Sequence, residues 1–185
     1  MGDDAAPQDL IARLRAGDAS AFTQAYQLYA PATFRFLRRL CGASALAEDL
    51  FQETWLRLAR HARGLRPDTE LRAWLYTVAR NLARSQARVA LADAAGLAAL
   101  SRWWYLDAPC AAPDEAAIAA DTGARLAAAL ARLSLAGREV LLLVATEGLS
   151  VDQAAQILGI SPEAARQRLH RARAELARTL KKEEA

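Results

Sequence analysis

Between residues 161 and 182 the chain carries seven basic and two acidic side chains, and their spacing gives them a use. Wound into a helix at about 100° per residue, Ala165, Leu169, Ala172, Leu176 and Leu180 gather on one third of the circumference. Glu163, Gln167, His170 and Arg171 point the other way, with Arg166 and Arg173 on one flank and Arg168 toward the other. Arginine binds guanine edges or phosphates, and glutamine reads adenine, so this face has the chemistry of a DNA contact. Other chemistries find little to work with. Cys41 and Cys110 have no CxxC spacing and read as two reduced thiols. His61 and His170 are the only histidines, far apart, and no glycine-rich phosphate loop or nucleophile elbow occurs. The expectation is a protein without metal, cofactor or small-molecule substrate, and not an enzyme.

The elements that must position the basic face are legible around it. Ser150 with Gln153 three residues on forms a capping box, and Gly159 suits a turn residue with positive φ. Ser161 followed by Pro162 is a strong helix start: a capping hydroxyl, then proline where no amide hydrogen is missed. Small Ala155 lets two helices approach, while Leu158, Ile160, Ala165 and Leu169 close a core. This pattern predicts a helix-turn-helix over residues 149–180, its second helix and Ser161 facing a major groove.

Alanine and leucine dominate the rest, glycine and proline are few, and no strand pattern appears, so the predicted fold is all-α. Four helices are expected before residue 90: Pro7 to Ala16; one capped by Asp18 and running to Cys41; a third over 44–62; a fourth over 69–89. Four more follow, over 122–133, 134–147, 150–159 and from Ser161 onward. The organisation is therefore two small helical domains, 1–89 and 122–185, with a linker at 90–121 that has room for a short helix around 93–103. Net charge is +3, distributed as +4 over 1–88, −4 over 89–121 and +3 over 122–185. The linker also holds Trp103, Trp104 and Tyr105, an aromatic cluster that either meets a protein partner or folds back onto a domain. No stretch approaches the roughly 20 apolar residues that span a bilayer, and the Met-Gly-Asp-Asp start is unlike a signal peptide, so a cytoplasmic protein is expected.

Two blocks carry a family resemblance. AEDLFQETWLRLARHA (47–62) followed by LRAWLYTVARNLARSQAR (71–88) resembles the second conserved region of extracytoplasmic-function sigma factors, the RpoE-like group of the sigma-70 family. LSLAGREVLLLVATEGLSVDQAAQILGISPEAARQRLHRARAEL (133–176) resembles their fourth region. The second block alone is shared with response-regulator output domains; both, in this order, are specific. The resemblance implies that Asp49, Gln52, Glu53, Trp55 and Leu56 bind core RNA polymerase at its beta-prime coiled coil, the beta subunit being the other expected contact. It implies that Arg66, Trp74, Arg80, Asn81, Arg84 and Arg88 serve the −10 element, and that the 64–70 loop captures a flipped base. Trp74 is weighted toward the core over stacking. For the −35 element it implicates Ser161, Arg166, Gln167, Arg168, His170, Arg171 and Arg173.

The function so implied is a promoter-specificity subunit that binds core RNA polymerase and promoter DNA and helps melt it. The acidic linker could mimic nucleic acid near the polymerase active centre. With no extra C-terminal domain apparent, regulation by a separate anti-sigma factor, in this group usually membrane-linked, is expected. Two other readings stay open: a helix-turn-helix regulator acting without polymerase, and a sigma mimic that sequesters an anti-sigma factor. Seven positive charges on the last helix argue against a mimic. Whether the two domains touch in the free chain is left open by the sequence, with a closed, inhibited form as an expectation.

Overall fold

The computed structural model describes residues 7–42, 44–92 and 115–183. Among them are eight α-helices, one 3-10 turn and no strand. The helices are α1 (Pro7–Ala16), α2 (Ala19–Cys41), α3 (Ser44–His61), α4 (Leu71–Ala92), α5 (Glu115–Arg132), α6 (Leu135–Ala145), α7 (Val151–Leu158) and α8 (Pro162–Glu183). Cys110, the aromatic trio at 103–105 and the expected short helix at 93–103 lie outside the described residues.

Local chemistry sets the ends. Asp18 caps α2 by accepting from the Ser20 amide, and Arg13 clamps the same carboxylate at 2.9 Å. The Ser20 hydroxyl, which also donates to this carboxylate, then Arg13 and the Ser20 amide hold the Asp18 carboxyl down at about 2. Gly42, at φ 77°, closes the helix in the left-handed region that a Cβ disfavours. Several expected boundaries move. The third helix ends at His61 and tightens into a 3-10 turn over Ala62–Gly64. The fourth starts at Leu71, not residue 69, because the Glu70 carboxylate accepts from the Arg72 and Ala73 amides and so acts as its cap. α5 begins at Glu115, inside the stretch read as linker.

Two apolar clusters form the interior. One is confined to the N-terminal half, where Leu10, Ile11 and Leu14 of α1 meet Trp55, Leu58, Leu71 and Leu75. The other crosses between halves. Phe36, Leu37, Leu40 and Cys41 of α2 and Tyr76, Ala79 and Leu82 of α4 share it with Leu130, Leu133, Val140 to Leu143, Ile157 and Leu158. α2 packs on α6 and α4 packs on α7, so the two halves bury one continuous core and the described chain is closed. The contact is built from side chains on surfaces that periodicity alone marks as apolar.

Candidate nucleic-acid and polymerase interface

The helix-turn-helix forms as its residues predict. Ser150 accepts from the Gln153 amide while the Gln153 side chain accepts from the Ser150 amide, the reciprocal capping box. Gly159 sits at φ 63°, and the Gly159 and Ile160 amides close α7 by donating to carbonyls of Gln156 and Ala155. Ser161 then caps α8 by accepting from the Ala164 amide. A Cβ on Gly159 would meet no neighbouring atom, so Gly159→Ala tests backbone strain alone. The expected cost is about 1 kcal/mol, a fall in melting temperature of about 2–4 °C by thermal unfolding.

Ala165, Leu169 and Ala172 of α8 are buried and Leu176 and Leu180 half-buried, as the helical wheel requires. Ser161, Arg166, Gln167, His170, Arg171 and Arg173 are exposed. Glu163, Arg166, Gln167, His170 and Arg171 line one shallow cleft. Glu163 accepts from Arg166 Nε and Gln167 Nε2, both at 3.3 Å, which holds these two side chains side by side. Arg168 is half-buried and faces inward, near enough to Arg80 to repel its charge. That direction separates it from the other arginines of the helix.

On α3, Asp49, Gln52 and Leu56 are exposed on one face, with Leu56 48 % accessible. Glu53 is half-buried beside them, bound to Arg57 at 2.9 Å and near Arg60 at 3.8 Å. Trp55 corrects the sequence reading. It is 5 % accessible and packs edge-on against Phe22, Tyr26 and Phe51, so it supports the α3 face from inside and cannot touch a partner. One residue away from a surface position, a 100° turn carries a side chain into the core.

The −10 candidates on and before α4 divide in two. Arg66, Asn81 and Arg88 are exposed, and Trp74 is half-buried against the N-terminal cluster, on the core side as weighted. Arg80 and Arg84 instead face the C-terminal half. Arg84 binds the Glu139 carboxylate in a fork, Nε at 2.7 Å and Nη2 at 2.9 Å. Arg80, 7 % accessible, lies 3.3 Å from the same carboxylate and donates to the Ile157 carbonyl at 3.4 Å. Burial lowers the Arg80 pKa and the Glu139 charge opposes that shift. Farther along, the Tyr76 hydroxyl donates to Glu147 at 2.5 Å, and Arg72 donates to the Glu147 carbonyl while lying over the Tyr76 ring. Burial, then the Glu147 contact, push the Tyr76 pKa up.

Sequence reasoning missed Arg138, Glu139 and Glu147. The signal was there for the first two: an Arg-Glu pair stands at the head of an otherwise apolar run, 140–145. Charged residues on the buried side of a short helix demand partners, though not which partners.

Two family descriptions match, in the order that the sequence blocks required: Sigma-70 region 2 over residues 25–90 and Sigma-70, region 4 over residues 123–176. The sigma factor CarQ of Myxococcus xanthus is 37 % identical over 162 residues, spanning 86 % of this chain and 88 % of its own length. This chain belongs to the sigma-70 family, in its extracytoplasmic-function group. Another relative, the extracytoplasmic-function sigma factor BldN of Streptomyces coelicolor, is 30 % identical over 96 % of this chain and 67 % of its own. Among solved structures, CnrH in complex with the cytosolic domain of CnrY superposes with a TM-score of 0.70 at 26 % identity, covering 95 % of this chain and 97 % of CnrH. RpoE of Bartonella quintana in complex with the anti-sigma factor NepR gives 0.70 at 29 % identity, over 86 % and 96 %. Residues of α2 to α4 are accordingly called region 2 below, and those of α5 to α8 region 4. No described helix is long and apolar enough to cross a membrane.

Proposed function

We propose that this sigma factor directs core RNA polymerase to promoters by reading the −35 duplex with α8 and the −10 strand with α4 and the loop before it. The observation that carries the proposal is the preformed helix-turn-helix, whose exposed Arg166, Gln167, His170 and Arg171 stand on a helix fixed at its start by two consecutive caps. Ser161 and Arg173 flank them as phosphate contacts, and Arg168 joins them once region 4 leaves region 2. Asp49, Gln52, Glu53 and Leu56 dock on the beta-prime coiled coil: acidic and amide groups with an apolar anchor suit a basic helical partner. Arg66, Trp74, Arg80, Asn81, Arg84 and Arg88 hold the opened −10 strand. The protein itself catalyses no reaction and acts in the cytoplasm.

A separate anti-sigma protein is the proposed regulator, because the neighbour RpoE was solved with the anti-sigma factor NepR, and CnrH with the cytosolic domain of CnrY. A membrane-anchored regulator would hold the complex at the inner membrane.

Transcription of fragmented genomic DNA by purified bacterial core polymerase, with and without the protein, tests the reading through mapped RNA 5′ ends. New start sites sharing −35 and −10 sequences support it. No new starts together with no co-elution with core overturn it, in favour of a free regulator or a mimic. On the mapped promoter, Arg171→Ala is expected to lose about 5–150-fold in discrimination at one −35 position, the equivalent of about 1–3 kcal/mol. Arg173→Ala, as a phosphate contact, should weaken all sequences alike and flatten the salt dependence of binding.

A further inference from the structure

Glu139 is a fully buried carboxylate, 0 % accessible, on a helix of region 4. Among the described residues its cationic partners, Arg80 and Arg84, both come from α4 of region 2. We infer that the chain closes on itself through this carboxylate: Glu139 occupies the two arginines that the −10 strand needs, so region 4 and promoter DNA compete for them. The inference rests on the reading of Arg80 and Arg84 as −10 contacts.

The geometry suits an exchange. Arg84 grips the carboxylate through two parallel N–H···O bonds, the same fork with which a guanidinium takes a phosphate. Arg80 supplies a second positive charge 3.3 Å away. A backbone phosphate presents the same paired oxygens and one negative charge, so a DNA strand can replace Glu139 without either arginine going unpaired. The ion pair itself does little to hold the closure shut, which rests on the apolar core the two halves share. Burying charges costs nearly what their attraction returns, so an enclosed ion pair adds little net stability, while stranding one partner is costly. On opening, Glu139, Arg80 and Arg84 all regain water. The accessory links open with them: Tyr76 to Glu147, Arg72 to the Glu147 carbonyl, Arg80 to the Ile157 carbonyl and Arg138 to the Leu40 carbonyl.

Closure also seals Cys41, which lies in the core shared by the two halves and whose thiol burial pushes up to about 12. That makes Cys41 a reporter. In the full chain carrying Cys110→Ser, the rate of Cys41 alkylation by iodoacetamide measures opening. Binding of a fluorescein-labelled single strand bearing the mapped −10 element measures access to the arginines. Glu139→Gln is expected to alkylate about tenfold faster and to bind the strand about tenfold tighter, since apparent affinity scales with the open fraction. Adding the strand should speed alkylation of the otherwise unaltered chain. Arg84→Gln carries the opening test should Glu139→Gln fail to fold, and it too should alkylate faster. Folded Glu139→Gln and Arg84→Gln proteins that alkylate at the parental rate would overturn the lock. Faster alkylation with no gain in strand affinity would overturn the competition by removing Arg80 and Arg84 from the DNA contact, while leaving the closed form in place.

Discussion

Arg138→Ala is expected to lower stability by about 3–5 kcal/mol. The Arg138 guanidinium is almost wholly enclosed, and it donates to four backbone carbonyls: Leu130 at 2.9 Å, Ala131 at 2.8 Å, Leu133 at 3.2 Å and Leu40 at 2.9 Å. Three of these lie at the C-terminal end of α5 and the fourth near the C-terminal end of α2. Helix ends leave such carbonyls without partners, and their aligned dipoles favour a cation. One side chain thus caps two helices, one in each region. Burial brings its pKa down to about 10, still far above neutrality, so the charge persists. Alanine would take the side-chain donor away from four carbonyls, of which Leu130 would keep the Leu133 amide, and would leave a cavity, both recognised sources of large losses. For a chain of 185 residues the melting temperature should fall by about 6–20 °C in a calorimetric scan. Arg138→Lys should recover part of this, because a point-like ammonium cannot span acceptors that the planar fork reaches. A melting temperature unchanged within 2 °C, on the order of 1 kcal/mol, would refute the capping role.

A second pair of substitutions separates the proposed docking face from its support. Leu56→Asp is expected to weaken binding to core polymerase by about 30–150-fold, the effect of losing one central apolar anchor worth about 2–3 kcal/mol. Because Leu56 is half exposed in the free chain, its melting temperature should hold. Trp55→Ala, one residue away, should do the reverse. It removes a buried ring with edge-on contacts to three aromatic neighbours, at an expected cost of about 3–5 kcal/mol in folding. Anisotropy titrations with labelled core, run beside thermal unfolding of each variant, read both effects. Equal losses of stability in the two variants would mean that the α3 face is structural, and the docking assignment would fall.

The contrast between Trp55 and Leu56 also marks the reach of sequence reasoning here. Hydrophobic period, caps and turn glycines are local properties, and they sufficed for eight helices, the capping box at Ser150 and Gln153, the left-handed Gly159 and the exposed face of α8. They act over three or four residues, so any folded form of this chain must satisfy them. The order of the two motif blocks was equally legible, and with it the family. Ends moved where a side chain other than the expected one served as cap, as Glu70 does for α4.

What the tertiary structure alone decided is which apolar and charged faces meet. Arg84 finds Glu139 across 55 residues, Tyr76 finds Glu147 across 71, and Arg138 finds Leu40 across 98. A helical wheel sorts positions into faces, but Trp55 went to the core and Arg80 under region 4 because of the bodies packed against those faces. The sequence by itself determined the helices, the exposed basic face of α8 and the family, since each depends on neighbours a few residues away. Only the packing of region 4 on region 2 decided that two arginines suited to DNA are held by a carboxylate, because that pairing exists in no segment taken alone.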